Sequence, residues 1–194
     1  MNNTVITPEQ LEILSSFQNN SKTVYDIPQK YFTNYNVKRG LRNPDGTGVM
    51  AGITRIGNAH GYIINEGDKV SIDGELYYRG YKVDELVENY AKENRFGFEE
   101  VSYILFFGDL PTRKQFEDYD ALLDNYRELP PRFTEDVIMK SPNRSIMNKL
   151  ASSVLSLYSY DSNPDDISIE NVLRQCIGLT AVFPMLAVYG YHAY

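Results

Sequence analysis

Two neighbouring stretches of the sequence decide the fold of this chain. The first is Glu75-Leu76-Tyr77-Tyr78-Arg79-Gly80-Tyr81, and the second is Phe98-Glu99-Glu100-Val101-Ser102-Tyr103-Ile104-Leu105-Phe106-Phe107-Gly108-Asp109-Leu110-Pro111-Thr112. The first predicts a strand that ends at a glycine, and the residues after it predict an amphipathic helix over 83–93. The second predicts a short apolar helix over 99–107, with two acids at its positive N-terminal end and a glycine just past its C-terminus. Together they indicate a strand followed by closely spaced helices.

Upstream of these stretches, short apolar runs separated by glycines fill residues 48–81. Runs of this length that contain β-branched and aromatic residues are typical of strands. The Asp73-Gly74 pair between Ile72 and Leu76 predicts a hairpin turn at that point. We therefore predict a small antiparallel β region over 48–81.

Residues 1–47 are predicted to form a helix and an extended arm. Thr7 as N-cap, Pro8 at the first helical position and Gln10 two residues later predict a capping box for a helix over 8–17. Residues 18–47 lack apolar periodicity and include an Asn-Pro-Asp-Gly turn at 43–46, which predicts an extended or irregular connection.

Residues 82–194 have the periodicity of helices. Thr112 and Gln115 predict a second capping box, which opens a helix that ends near Tyr126. Further helices are predicted over 133–140, over 145–158 and from about Ser168 to the end. The predicted fold class is mainly α, with a small N-terminal antiparallel β-sheet.

The last predicted helix leaves two interpretations open. Residues 176–194 contain no Asp, Glu, Lys or Arg, and a membrane-spanning helix needs about 20 mostly apolar residues. A tail-anchored membrane protein is therefore an alternative to a helix that is surrounded by protein. Pro184, two glycines and the lack of a basic flank favour the buried helix. The proline also predicts a kink near Thr180.

Composition and charge exclude several classes of function. The formal net charge of −7 argues against nucleic acid or an anionic membrane surface as a partner. The chain has one cysteine, Cys176, so an intrachain disulfide is excluded. The first residues carry no basic segment followed by an apolar run, so no signal peptide is predicted and the expected location is cytoplasmic.

No catalytic constellation stands out in the sequence. The glycines of residues 46–52 approach a dinucleotide-binding loop, but their spacing is wrong and they follow a turn, so a hairpin or loop is the simpler interpretation. His60 and His192 are interpreted as packed or solvent-facing histidines, and Glu99 with Glu100 as a helix N-terminal charge pair. We predict no catalytic, cofactor-binding or metal-binding residue in this chain.

The order of the two opening stretches resembles the N-terminal half of citrate synthases, in which an Arg-Gly-Tyr-like step precedes a Phe-Glu-Glu-Val helix and a Gly-x-Leu-Pro-Thr turn. The resemblance continues through 147–161 and through 176–191, with Pro184 midway along the latter. The segment Asn143-Arg144-Ser145-Ile146-Met147 departs from it, because many relatives show a His-Pro-Met step there.

The resemblance implies the N-terminal part of a large domain, with helices over 82–194 and with the small catalytic domain absent. It implies an acyltransferase that condenses acetyl-coenzyme A, as a co-substrate, with oxaloacetate to give citrate, and that uses no cofactor or metal. It also implies a homodimer through the helices 145–158 and 168–194, for which Leu150 and Val154 are the expected contact residues. A 2-methylcitrate synthase and a non-catalytic dimerisation module are the alternatives. This chain alone is expected to be inactive, because the family's catalytic segments have no counterpart in it.

Overall fold

The structure is a computed structural model that describes residues 8–24, 26–35, 37 and 53–194. The described part is mainly helical and includes one small antiparallel sheet. The strands are β1 (Gly57–Asn65), β2 (Asp68–Tyr78) and β3 (Tyr81–Lys82). The helices are α1 (Pro8–Val24), α2 (Lys30–Asn34), α3 (Val83–Lys92), α4 (Phe98–Phe107), α5 (Arg113–Tyr126), a π-helix (Thr134–Met139), α6 (Ile146–Leu157), a 3₁₀ turn (Tyr158–Tyr160) and α7 (Ile169–Ala193). The predicted fold class is confirmed.

Contacts divide the chain into two compact units. The helical unit combines residues up to Gln18 with Thr112–Tyr194, and the sheet unit is Asn19–Pro111. The core of the sheet unit includes Leu86, Tyr90 and Ile104, which are buried on α3 and α4. The core of the helical unit joins the π-helix, α6 and α7 through a cluster of buried side chains, namely Phe133, Ile138, Leu157, Val182 and Leu186.

The hairpin turn does not lie where the Asp-Gly pair predicts it. Strands β1 and β2 are joined at Glu66 and Gly67, and Asn65 lies opposite Asp68. Glu66 and Gly67 both have positive φ, at 50° and 96°, which is the backbone of the tight turn that matches strand twist. Asp73 and Gly74 instead lie inside β2, at an irregularity opposite Gly61. The predicted turn position was therefore wrong, because a second two-residue turn supplied the required geometry.

The Arg79-Gly80 step is itself a tight turn between β2 and β3. Tyr78 lies opposite Tyr81, and the two residues between them have φ of 52° and 92°. A glycine adopts positive φ at no steric cost, whereas Arg79 must be held there by other contacts. The strand predicted to end at a glycine thus reverses direction and leads directly into α3.

The first helix is longer than predicted. It extends to Val24, and a short second helix follows at Lys30–Asn34, so part of the predicted extended arm is helical. No glycine or proline occurs between Gln18 and Val24, and the polar residues there have only modestly lower helix propensity. The predicted capping box at Thr7, the turn at 43–46 and the glycines of 46–52 lie outside the described residues.

The remaining helices follow the sequence predictions closely. Thr112 and Gln115 form the predicted capping box, in which the Gln115 N–H donates to Thr112 Oγ1 and the Thr112 N–H donates to Gln115 Oε1. Gly108 ends α4 with φ of 90°, as its position after the helix predicts. The short helix predicted over 133–140 is present as a π-helix.

Helix α7 runs through Pro184 without interruption, and one of its faces is buried in the helical unit. Eight residues lie on or near that face: Asn171, Leu173, Ile177, Gly178, Ala181, Val182, Leu186 and Gly190. By length and composition alone, this is the one helix among the described residues that could cross a bilayer, and a core helix of a soluble protein passes the same criteria. The kink at Thr180 stays a prediction.

Candidate functional site

The sheet unit contains an open cleft of about 500 Å³ on the hairpin formed by β1 and β2. Most of its lining surface is apolar, and its polar groups come from both strands, from the segment before β1 and from the turn after β2. The residues that matter for its chemistry are Arg55, His60, Glu75, Tyr77 and Arg79. The pairing of β1 with β2, together with the Arg79 N–H that donates to the carbonyl oxygen of Ile56, brings these residues together although they lie far apart in the sequence.

His60 lies on β1 with its side chain exposed, directly opposite Glu75. Its Nε2 lies 2.8 Å from Asn58 Nδ2, and its ring packs edge-on against Tyr77 at 6.2 Å between centroids. No carboxylate lies close to His60 along the chain, and pairing of the strands supplies Glu75. The contacts of His60 are nevertheless those of a solvent-facing histidine that packs on a neighbouring ring.

The Glu75 carboxylate accepts hydrogen bonds from Lys82 and Tyr77. Lys82 Nζ donates to Glu75 Oε1 at 2.9 Å, and the Tyr77 hydroxyl donates to Glu75 Oε2 at 3.1 Å. These two hydrogen bonds, Lys82 first, lower the pKa of Glu75. A general base needs a pKa close to the working pH, so a carboxylate with a lowered pKa is poorly suited to that role. The pair of His60 and Glu75 therefore lacks the arrangement of an acid/base dyad.

The two arginines of the cleft differ in what they contact. The Arg79 guanidinium donates from Nε and Nη2 to the carbonyl oxygen of Leu105, at 3.2 and 2.9 Å. Leu105 lies in the last turn of α4, where carbonyl groups lack partners within the helix. Arg55 is exposed at the mouth of the cleft. The cleft thus offers one exposed guanidinium, that of Arg55, and its His60 and Glu75 side chains are not arranged to transfer a proton.

The predicted charge pair at the start of α4 has a structural role. Glu100 accepts from Arg95 Nη1 at 2.8 Å and from the Tyr90 hydroxyl at 3.2 Å. Burial first, and the nearby Glu100 carboxylate second, raise the pKa of Tyr90 to about 12. A Cβ placed on Gly97 would overlap the Tyr90 ring, so a glycine is required where α4 begins. Glu100 therefore anchors the junction between α3 and α4.

In the helical unit, a largely enclosed ion pair joins Asp161 to Arg174. Arg174 Nη2 lies 2.8 and 2.9 Å from the two carboxylate oxygens, and the two side chains are 8% and 15% exposed. Burial alone would raise the pKa of Asp161, but hydrogen bonds from the Asn163 N–H, Arg174 and Gln175 outweigh it and lower that pKa. The pair fixes the loop before α7. Sequence reasoning missed it, because its members lie 13 positions apart on different elements.

The other residues weighed from the sequence stand apart from one another. His192 is exposed in the last turn of α7, where a histidine faces the negative end of the helix. Burial raises the pKa of the Cys176 thiol, which disfavours the reactive thiolate. Within the ranges that the structure covers, no group of three His, Cys, Asp or Glu side chains could hold a metal ion.

The helices predicted to form an interface expose a different set of side chains from those expected. Leu150 and Val154 pack against the core cluster of the helical unit and are only partly exposed. Met147 and Leu155, by contrast, are each 76% exposed, and with exposed Ala151 between them they form one stripe along α6. Helix α7 also exposes large apolar side chains, among them Ile169, Phe183, Val188, Tyr191 and Tyr194. The exposed apolar stripe of α6 therefore lies beside the predicted contact residues on the helix surface and does not include them.

Comparisons with known proteins agree on the protein family to which the chain is similar. Residues 46–194 match the family described as "Citrate synthase, C-terminal domain". The chain is 31% identical over 123 residues to a citrate synthase-related protein of Dictyostelium discoideum, which covers 62% of this chain and 27% of that protein. It is 33% identical over 112 residues to 2-methylcitrate synthase 1 of Corynebacterium glutamicum, which covers 57% of this chain and 28% of that protein.

A solved structure supports the same assignment. The crystal structure of citrate synthase from Pyrobaculum aerophilum aligns with a TM-score of 0.59 at 29% identity, over 81% of this chain and 40% of that one. The chain thus spans between about a quarter and two fifths of the proteins that it matches. The matched family region includes both opening stretches, β1 to β3 and all helices from α3 onward. The chain belongs to the citrate synthase family.

Proposed function

We propose that this chain is the N-terminal part of an acyltransferase that condenses acetyl-coenzyme A with oxaloacetate and water to give citrate and coenzyme A. The observation that carries the proposal is the family match over 46–194, which contains the Arg-Gly-Tyr turn and the Gly-Asp-Leu-Pro-Thr turn in the family's order. In this reaction a base removes a methyl proton of the thioester. The resulting carbanion forms a carbon–carbon bond to the keto carbon, and water then cleaves the thioester.

We propose further that the chain alone does not catalyse this reaction. In the described residues, Glu75 and Asp161 each have lowered pKa and are bound to cations, and His60 and His192 are exposed. None of these groups is placed to take a methyl proton from an enclosed substrate. Such proton transfer and charge stabilisation each contribute at least about a hundredfold to rate.

A thiol-release assay with acetyl-coenzyme A and oxaloacetate tests this second proposal. We expect the 194-residue chain to give the buffer rate, and His60→Ala to give the same rate. Turnover above the buffer rate that His60→Ala removes would place the active site in this chain. Reading the gene past the codon for Tyr194 and assaying the complete polypeptide tests the first proposal: a continuing frame with citrate-forming activity supports it, and a stop codon supports a non-catalytic module.

A 2-methylcitrate synthase is the second candidate, because relatives of that name match this chain as well as citrate synthases do. The two reactions differ by one methyl group on the acyl-coenzyme A. One extra methylene is worth about 1–3 kcal/mol of discrimination in an apolar pocket. Comparing kcat/KM of the complete polypeptide for acetyl- and propionyl-coenzyme A distinguishes the two functions.

We also propose that two copies of the chain associate through α6 and α7, in the cytoplasm. Support comes from the exposed apolar side chains of both helices, since contiguous apolar surface beyond a few hundred Å² is rarely left in water. A two-fold contact presents the same surface on each copy, so one substitution changes both sides. Leu155→Glu tests it, because Leu155 is 76% exposed and its loss spares the core. Val154→Glu would be a poor test, since Val154 packs on the core cluster.

We expect sedimentation at micromolar concentration to show a lower average mass for Leu155→Glu than for the unaltered chain, because the substitution removes association through the helix face. Val87→Glu is the matched control, because Val87 is 59% exposed on α3 and lies outside the proposed contact. An average mass that Leu155→Glu leaves unchanged would rule out the helix face as a contact. Partition of the unaltered chain into detergent would instead favour the tail-anchored alternative.

A further inference from the structure

Strand β1 is an edge strand whose outer side has no partner in the described ranges. The strand order is β1-β2-β3, so β1 pairs with β2 alone. All nine residues of Gly57–Asn65 are exposed. An edge strand presents a row of backbone N–H and C=O groups to which another strand can bind.

β1 lacks the features that normally prevent such pairing. Its sequence, Gly-Asn-Ala-His-Gly-Tyr-Ile-Ile-Asn, contains no Lys, Arg, Asp, Glu or Pro. It is nine residues long, whereas strands usually have about five or six. Bulges also protect edges, but the irregularity here places its extra residues on β2. His60 pairs with Glu75 and Tyr62 with Ser71, so two steps along β1 match four along β2 and β1 itself is continuous.

The other long strand of the hairpin is protected. β2 carries four charged residues between its start and the point where it meets β3: Asp68, Lys69, Asp73 and Glu75. It also contains the irregularity, which interrupts a regular row of backbone groups. The two edges of one hairpin therefore differ, and within the described part of the chain the edge of β1 is the one open to pairing.

The side chains of β1 also favour additional strands. Tyr62, Ile63 and Ile64 are 46%, 49% and 63% exposed. A hairpin of two strands is only marginally stable in water, and a third or fourth strand with an apolar face stabilises it. Pairing at the edge would place these side chains beside cross-strand neighbours.

We propose that β1 pairs antiparallel with β1 of a second copy of this chain, so that two small sheets join into one. An antiparallel pair of identical strands is related by a two-fold axis, and each copy then offers the same surface. The chain carries a net charge of −7, so two copies repel over most of their surface. A nine-residue strand without charge is a place where two backbones approach without like-charge repulsion. This contact uses the sheet unit and does not depend on the helix-face contact proposed above.

Sedimentation velocity of paired variants tests the proposal. Leu155→Glu provides the background, since it removes association through α6 while leaving β1 unchanged. In that background we expect a concentration-dependent dimer at micromolar concentration. Adding Ile63→Lys should abolish this dimer, because a charge on an edge strand prevents edge-to-edge pairing.

Val70→Lys in the same background is the matched control. Val70 lies directly opposite Ile63 on β2 and is 43% exposed, compared with 49% for Ile63. Both variants place a lysine on the same face of the same hairpin, and only Ile63→Lys places it on the open edge. Circular dichroism should show that both variants keep the fold of the background chain. We expect Val70→Lys to keep the dimer.

Hydrogen exchange provides an independent readout. Amides of β1 should exchange more slowly as the concentration of the background chain rises, and this effect should vanish in the Ile63→Lys variant. A background chain that stays monomeric would overturn the proposal. Equal weakening by Ile63→Lys and Val70→Lys, or protection confined to β2, would do so as well. If Leu155→Glu leaves the dimer of the unaltered chain intact and Ile63→Lys removes it, the helix-face proposal fails while this one stands.

Discussion

Arg79 donates two hydrogen bonds to one atom, the carbonyl oxygen of Leu105, and so connects the β2–β3 turn to the last turn of α4. The helix end carries partial negative charge, which favours a guanidinium there. Arg79 itself has φ of 52°, a conformation that costs a non-glycine residue about 1 kcal/mol or more. The bonds to Leu105 offset this strain, and they explain why an arginine occupies a turn position that would suit asparagine or glycine.

Replacing Arg79 by alanine should therefore destabilise the chain. The variant loses hydrogen bonds from a charged donor, worth about 1.5–3 kcal/mol, and leaves the Leu105 carbonyl without that partner. Arg79→Lys should recover only part of the loss, because an ammonium cannot reproduce the two-pronged geometry. Urea denaturation gives the free energy of unfolding. Arg55→Ala, at an exposed arginine of the same cleft, should change it by less than about 0.5 kcal/mol.

A second connection between the opening stretches is sensitive to pH. The Tyr81 hydroxyl donates to Asp109 Oδ1, which lowers the pKa of Asp109 and raises the pKa of Tyr81. Asp109 stabilises the folded chain above the ordinary pKa of an aspartate, and this stabilisation is lost as the pH falls through the lowered pKa of Asp109. Tyr81 stabilises the folded chain below the ordinary pKa of a tyrosine, and this stabilisation is lost as the pH rises through the raised pKa of Tyr81.

Tyr81→Phe should consequently be less stable than the unaltered chain near neutral pH, and the difference should shrink at both extremes. Denaturant unfolding of the two proteins over a series of pH values measures this difference. A difference that stays constant from acid to alkaline pH would show that the hydroxyl acts through packing and not through Asp109.

Lys149 is a buried cation whose hydrogen bonds, among the described residues, go to neutral oxygens. It is 2% exposed, and its Nζ donates to Val137 O at 2.5 Å and to Ser141 O and Oγ at 3.0 Å each. These acceptors lie in and just after the π-helix, so the ammonium caps the C-terminal end of that helix. Gly190 of α7 makes room for the side chain, since a Cβ there would lie 3.2 Å from Lys149 Cγ.

Lys149→Met should cost about 1–3 kcal/mol, because it keeps the length of the side chain but leaves buried carbonyl groups without a donor. Burial lowers the pKa of Lys149, so the unfolded chain binds the proton more tightly than the folded chain. The stability of the unaltered chain relative to Lys149→Met should then increase as the pH rises toward the ordinary lysine pKa. Thermal and urea unfolding check both expectations. Lys114→Met is the control, because Lys114 is 86% exposed and its pair with Asp118 is worth at most about 1 kcal/mol.

Ser153 offers a substitution that should stabilise the chain. Its side chain is fully buried on α6, and its Oγ has no hydrogen-bond partner among the described residues. A buried hydroxyl without a partner costs about 1–3 kcal/mol, so Ser153→Ala should raise the free energy of unfolding by roughly 1 kcal/mol.

Ser156→Ala separates this effect from helix propensity. Ser156 lies on the same helix, but its Oγ donates to Ser152 O at 2.9 Å. Both variants gain the higher helix propensity of alanine, and only Ser153→Ala removes an unsatisfied group. If the two substitutions change the melting temperature equally, the Ser153 hydroxyl has a partner in solution.

Helices with strong local signals could be predicted from the sequence. Thr112 with Gln115 fixed the start of α5, and Gly108 fixed the end of α4, because capping depends on residues within one helical turn. Helices α3, α6 and α7 also follow the apolar periodicity to within one or two residues at each end. The β region was predicted as well, but the turn within it was not. Two pairs that end in glycine, Glu66-Gly67 and Asp73-Gly74, could form that turn. The strands pair so that Glu66 and Gly67 form it.

Which residues meet across elements depended on how the strands pair and how the helices pack. The pairing of strands places Glu75 opposite His60, but the Glu75 carboxylate accepts a hydrogen bond from Lys82. On α6 the sequence showed a broad apolar stripe, but packing against the π-helix and α7 buried the side of Leu150 and Val154 and left Leu155 in water. An apolar stripe indicates that one face of a helix is buried in the folded protein. It does not predict which part of that face is covered by the same chain, because that depends on where the neighbouring helices lie.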